Sequence, residues 1–294
     1  MNGPARLALA LSLALAAAAA QSAPLAKGNI LAANGIPKGE APACSLPALK
    51  AALNGGWGLA ADVMLTKDGR MYLVSEGLVS ELLNGRRGVD KLTPEEMKGV
   101  NLNGRCCGGD VFDDDEEIVD YHSPVEIGKV APLIPKGGTV CLRITNQSGS
   151  TEAVAAMVRK RFEEVFKEGV PTNLVFVSRR GNLLIDLARE MPGLKRLHYA
   201  VPRGWNKTVG DFLVNAPALI GAAKGYKADG IMVDYIAGHI TPEYVAELKT
   251  AGLEVALGAV GGKSLPSADA VVAAAPEYVV SRNPAALYKA LGGK

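Results

Sequence analysis

Residues 59–85 read LAADVMLTKDGRMYLVSEGLVSELLNG, an apolar run, a tight T-K-D-G turn at 66–69 and a second stretch ending in N-G. Side chains alternate faces along a strand, so Ala60 and Asp62 share one side of the first run. A carboxylate on the same face as a methyl, four residues before the turn, places a polar group near the end of a buried strand. Gly and Asp in the turn are the residues that shape such a corner.

Seven further runs of this kind occur: NILAANG, TVCLRI, NLVFVS, RLHYAV, GIMVDY, EVALGAV and YVVSRNP. Between several of them the apolar spacing becomes helical. In STEAVAAMVRKRFEEVF, Val154, Met157, Val158, Phe162 and Val165 share one face behind a Ser/Thr cap. Eight short runs alternating with helices predict a closed (β/α)8 barrel, a TIM barrel, in preference to an open sheet. Spacing is even from residue 139 onward, and no solenoid period appears. Residues 71–138 hold extra material, including GRCCGGDVFDDDEEIVDYHSP, and are expected to form an insertion after the second strand.

In such a barrel the functional residues lie at the carboxyl ends of the strands. That rule brings Ala33, Asn34, Ala60, Asp62, Arg143, Ser178, Arg179, His198, Asp234, Gly258 and Arg282 to the mouth, with Cys141 and Arg143 on one side of their strand.

The chain has 294 residues, a formal net charge of +2 and 21% charged residues, which gives no reason to expect a nucleic-acid surface. It opens MNGPARLALALSLALAAAAAQSAPLA: Arg6, an alanine-rich apolar run, then small residues suited to signal peptidase. Residues 1–22 therefore read as a cleaved signal peptide, and the run is shorter than the roughly 20 apolar residues of a spanning helix. The expected mature chain has no transmembrane segment and is periplasmic or extracellular, with a single barrel over residues 27–294. Of the four cysteines, Cys44, Cys106, Cys107 and Cys141, adjacent Cys106 and Cys107 rarely bond each other, so a disulfide between Cys44 and Cys106 is expected in an oxidising compartment.

The motifs resemble those of the glycerophosphodiester phosphodiesterases, a metal-dependent barrel family of lipid metabolism related to the phosphatidylinositol-specific phospholipases C. The family reads like H-R-G, P-E-N-T, E-L-D-V-x-L-T-K-D-G, H-D with a T-x-N-G turn, and L-T-x-x-E. This chain has ANG at 33–35, PACS at 42–45, AADVMLTKDG at 60–69, SEGLVSELLNG at 75–85 and KLTPEEMKGV at 91–100, almost without gaps. VCLRIT at 140–145, GLEVALGAV and YVVSRNP resemble later strands of the family.

The resemblance implies two catalytic histidines, three carboxylates holding Ca²⁺ or Mg²⁺, and basic groups on the phosphate. Here the histidine positions are Ala33 and Ser75, and the arginine beside the first is Asn34. The carboxylate positions are Ala60, Asp62 and Arg143, the lysine position is Thr145, and the tryptophan position is Gly258. Asp62 with Arg143 sums to zero charge where the family has −3, and a hard dication needs about six to eight oxygen ligands. No metal cofactor is expected, and Arg143 is expected to occupy the vacated metal position and pair with Asp62.

The chain thus reads as a pseudoenzyme of this family that binds an anionic, phosphate-type small molecule, with Asp62, Arg143, Arg179 and Arg282 as candidate ligand-binding residues. Two other readings stand beside it. One is an active phosphodiesterase with a rearranged site built on Asp62, His122 and the acidic insertion. The other is a non-catalytic scaffold whose insertion contacts a protein partner. DVFDDDEEIVD lacks the order of an EF-hand loop and reads as a solvated acidic loop. His239 reads as a loop or cap residue, and His198 can face either the mouth or the surrounding helices.

Overall fold

A computed structural model describes residues 25–36, 41–74, 88–102, 122–145, 148–208, 210–258 and 265–293. The expected signal peptide, Ser75, Cys106, Cys107 and the acidic run all lie outside them.

Each of the eight apolar runs forms one barrel strand: β1 (Ile30–Ala33), β2 (Gly58–Leu65), β5 (Val140–Ile144), β6 (Leu174–Ser178), β7 (Lys195–Ala200), β10 (Gly230–Val233), β11 (Glu254–Leu257) and β12 (Tyr278–Ser281). They are parallel, and β1 pairs with both β12 and β2, which closes the sheet into a (β/α)8 barrel. Helices α1 (Leu46–Asn54), α3 (Thr151–Val165), α4 (Gly181–Glu190), α5 (Ala216–Gly225), α6 (Pro242–Thr250), α7 (Ala268–Ala274) and α8 (Pro284–Ala290) surround it. Most begin at a residue whose side chain accepts from the third backbone N–H onward: Ser45 from Ala48, Ser150 from Ala153, Asn215 from Ala218, Thr241 from Tyr244. Such caps satisfy donors that the first helical turn leaves open. Among the described residues no helix is long and apolar enough to cross a membrane.

The material between β2 and β5 starts with a hairpin. β3 (Met71–Leu73) runs antiparallel to β2, and β4 (Val125–Glu126) antiparallel to β3. The T-K-D-G residues make the corner: Thr66 N–H donates to Arg70 O at 2.9 Å, the Thr66 hydroxyl donates to Asp68 Oδ1 at 2.6 Å, and Gly69 has φ +81°. A left-handed φ favours glycine because a Cβ there crowds the backbone. The motif is therefore a fold element in this chain. Beyond it, α2 (Pro94–Lys98) starts with a reciprocal cap between Thr93 and Glu96, and Met97 packs with Met64, Tyr72, Val89, Leu92 and Leu102 in a small core of its own. One more hairpin, β8 (Arg203–Asn206) with β9 (Gly210–Leu213), follows β7.

Alternation sorts the barrel side chains into two sets. Leu31, Ala60, Cys141, Val175, Val177, Leu197, Met232, Ala256 and Val280 fill the interior, while Leu59, Leu142, Phe176, Ile231 and Val255 pack against helices. At the amino end, Tyr278 donates to Glu254 at 2.8 Å and Lys195 pairs with Glu254 at 2.5 Å. There Gly138 also lies so near the chain at Gly28 that a Cβ would come within 2.2 Å of Gly28 O. Backbone and this polar group thus line the amino end of the barrel.

Candidate functional site

Asp62 and Arg143 are register partners on adjacent parallel strands, as are Ala60 and Cys141 one layer deeper. All four side chains point inward. Asp62 is buried, and the Arg143 guanidinium engages it with both edges: Nε donates to Oδ1 at 2.5 Å and Nη2 to Oδ2 at 2.8 Å. This is a two-pronged, charge-assisted pair, the strongest hydrogen-bonded arrangement available to a guanidinium and a carboxylate. Burial alone would lower the arginine's pKa; its hydrogen bond to Asp62 and the carboxylate's charge outweigh that and hold it above its ordinary value.

Arg143 also lies over the Tyr199 ring, 4.8 Å from the centroid, and Arg179 approaches the same ring at 5.5 Å. Tyr199 ends the inward series of β7 after Leu197 and gathers both guanidiniums by its negative π face. Its phenol is pushed above the ordinary tyrosine value by burial and by the charge of Asp234, against the opposing pull of Arg143 and Arg179. Asp234 follows β10, its N–H donates to Ala200 O at 2.9 Å, and it has the inward parity of Met232. Burial raises its pKa above the usual carboxylate range, and Arg143 and Arg179 partly offset the rise.

The other mouth candidates divide. Asn34 is buried, in a left-handed turn with φ +58°, and accepts from Cys44 N–H at 2.7 Å. Ala33, at one expected histidine position, offers a methyl group. Gly258 has φ +85°, and Arg282 is exposed one residue past β12. Parity decides the orientation of two strand-end residues. Ser178 points toward the helices, and its hydroxyl accepts from Arg180 N–H at 3.1 Å. His198 also faces outward, edge-on to Tyr226 with centroids 5.1 Å apart, and burial lowers its pKa. His122 is held in the insertion, where its N–H donates to the Asn101 side chain and its carbonyl accepts from Leu102. His239 is an exposed turn residue.

Tyr199 was not marked by any motif, although Leu197 in the same run gives its parity. Cys44 is disulfide-bonded and Cys141 is a buried free thiol.

The donor set does not fit a divalent cation. Ala60 has no side-chain oxygen and its carbonyl already accepts from Asn34 N–H, Arg143 brings a positive charge, and both oxygens of Asp62 are engaged by that charge. Among the described residues no three His, Cys, Asp or Glu side chains converge on a metal position. What the arrangement can do chemically is different. It brings two guanidiniums to the Tyr199 ring at the carboxyl end of the barrel, one of them also fixed by a carboxylate, and guanidiniums suit a tetrahedral or planar oxyanion.

No family profile and no curated protein matches the chain. Solved structures do. A phosphodiesterase of Oleispira antarctica, in complex with the product sn-glycerol-3-phosphate, is 18% identical, with a TM-score of 0.65 over 90% of this chain and 97% of its own. A glycerophosphodiester phosphodiesterase of Parabacteroides distasonis is 12% identical, with a TM-score of 0.63 over 90% and 96%. A candidate glycerophosphodiester phosphodiesterase of Galdieria sulphuraria is 15% identical, with a TM-score of 0.66 over 90% and 98%. The resemblance met in the motifs thus extends to the fold of nearly the whole chain.

Proposed function

We propose that this protein is an exported, degenerate relative of the glycerophosphodiester phosphodiesterases, in which the barrel binds an anionic, phosphate-type ligand and metal-dependent hydrolysis has been lost. The observation that carries the reading is the two-pronged Arg143–Asp62 pair. It sets a permanent organic cation where the family would hold a removable dication. A guanidinium can fix an oxyanion, but it offers no open coordination site and lowers no bound water's pKa.

Proton transfer is missing as well. Ala33 cannot accept or give a proton, and Ser75 is a poor substitute for an imidazole. General acid–base catalysis contributes about 10² to 10⁴ in rate, so its loss together with the Lewis acid leaves little inherited turnover. The guanidiniums of Arg143 and Arg179 favour a ligand with two or more anionic oxygens, and the sn-glycerol-3-phosphate seen in the Oleispira structure is a reasonable first probe.

Export is part of the proposal. The amino-terminal sequence supports it, and a disulfide-bonded Cys44 suits an oxidising compartment. Mass spectrometry of the protein recovered from its native compartment should find a mature chain beginning just after residue 20 or 22; an intact Met1 would overturn this.

Titration calorimetry with sn-glycerol-3-phosphate and with inorganic phosphate tests the binding. Saturable binding with no product release is expected, and Arg143→Met should abolish it. Absence of saturable binding by either anion would overturn the ligand reading.

A further inference from the structure

Among the described residues, Asp234 is the mouth carboxylate whose Oδ1 is buried without a hydrogen-bond partner. The charged and titratable groups whose field acts on it are Tyr199 of β7, Arg179 at the end of β6 and Arg143 of β5, the last already paired with Asp62 of β2. On the β11 side stands Gly258, which has no side chain, and Arg282 is exposed beyond β12. His198 is turned away toward Tyr226. With Asp62 and Arg143 neutralising each other, Arg179 and Asp234 are left as the second pair of opposite charges, and the four sum to zero.

Resting on the anion-binding reading above, we propose that Asp234 is a ligand-binding residue that enters the site protonated and donates its carboxylic O–H to the oxyanion held by Arg143 and Arg179, so that each anion is bound together with one proton. The logic is electrostatic. An ionised Asp234 would stand beside the incoming anion as a like charge in a partly desolvated site. A protonated one supplies a donor to an arriving acceptor oxygen, and it leaves the cluster with a net charge of +1. Burial already disfavours the ionised form, and only the two arginines hold against it. An anion on those arginines cancels their field and tips the balance toward the acid.

The sign follows from linkage. The complex holds more protons than the free protein across the interval between the pKa of Asp234 in the two states, so affinity rises as pH falls through that interval. For one coupled proton the slope approaches about tenfold in Kd per pH unit, with plateaus on either side. Tyr199 stays neutral and the arginines stay charged through that range, so neither supplies the slope.

The probe is inorganic sulfate, which keeps its double charge throughout, titrated into the full mature chain between about pH 5 and about pH 8. Calorimetry in buffers of different ionisation enthalpy also counts the protons. The expected result is affinity that tightens toward low pH with uptake approaching one proton per sulfate. Asp234→Asn should bind with no pH slope, more tightly than the parent at pH 8. Asp234→Ser keeps a donor without a titrating group and should also lose the slope. His198→Asn should keep it.

A pH-independent affinity in the parent, or an unchanged slope in both Asp234 variants, overturns the proposal while leaving anion binding intact. If the parent binds no sulfate at any pH, the anion reading falls and this inference with it. The two failures are therefore distinguishable.

Discussion

Arg143 Nη2 lies 2.8 Å from Asp62 Oδ2, and Nε lies 2.5 Å from Oδ1, across one rung of the parallel ladder between the second and third barrel strands. This contact ties the fold to the loss of metal-dependent hydrolysis proposed above. A metal site needs its oxygens free, and here the ligand position that survives is closed by a neighbour that cannot dissociate.

The pair should be costly to break on one side only. Removing one partner of a buried pair typically destabilises by about 3–5 kcal/mol, because the other charge is left uncompensated. Arg143→Met should therefore lower stability by about that amount at neutral pH, measured by urea unfolding. Adding Asp62→Leu to it should recover much of the loss, and additive losses in the double variant would argue against coupling.

Metal binding should be recoverable by reversing the charge. Ala60→Glu with Arg143→Glu would direct three carboxylates, with Asp62, toward the mouth from two adjacent layers. The double variant should be destabilised without metal, since like charges are crowded, and stabilised by Ca²⁺. At 100 times Kd the gain is about 2.7 kcal/mol, read as a rise in Tm. The parent should show no Ca²⁺-dependent shift.

Tyr199 should matter through its ring more than its hydroxyl. Each guanidinium stacked on it contributes about 0.5–1 kcal/mol. Tyr199→Leu should weaken sulfate binding roughly tenfold, while Tyr199→Phe stays within a few-fold of the parent. Equal losses in the two variants would point to the phenol instead.

Stability itself should depend on pH through Asp234. Its folded-state pKa is raised above the unfolded value, chiefly by burial. The folded protein then binds more protons between those two values, so its stability falls as pH rises through that window. Asp234→Asn should be more stable than the parent at pH 7, and the difference should vanish below the unfolded carboxylate range. Thermal melts at both ends check it.

Much of this was legible in the sequence because the relevant period is two. Eight apolar runs marked the eight barrel strands, and the same alternation set Asp62 and Arg143 on inward faces. Parity also carried information that composition hid: His198 and Ser178 sit at strand ends near the mouth, yet their odd-even position turns them to the helices. Tyr199 escaped notice because an inward aromatic in a buried strand looks like any core residue until the charges above it are placed. The hairpins at Met71–Leu73 and Arg203–Leu213 were not anticipated, since short antiparallel pairs with turns read locally like loops. The T-K-D-G motif was legible as a turn, and its hydrogen bonds through Thr66 show what holds that corner in place.

The central claim is that a guanidinium has replaced a metal and hydrolysis has gone with it. The most direct measurement is product release from a panel of glycerophosphodiesters by the purified mature chain, with Ca²⁺, with Mg²⁺ and with chelator, beside a catalytically intact relative. The account predicts release indistinguishable from the uncatalysed background under every condition. Turnover above background that chelator abolishes would contradict it.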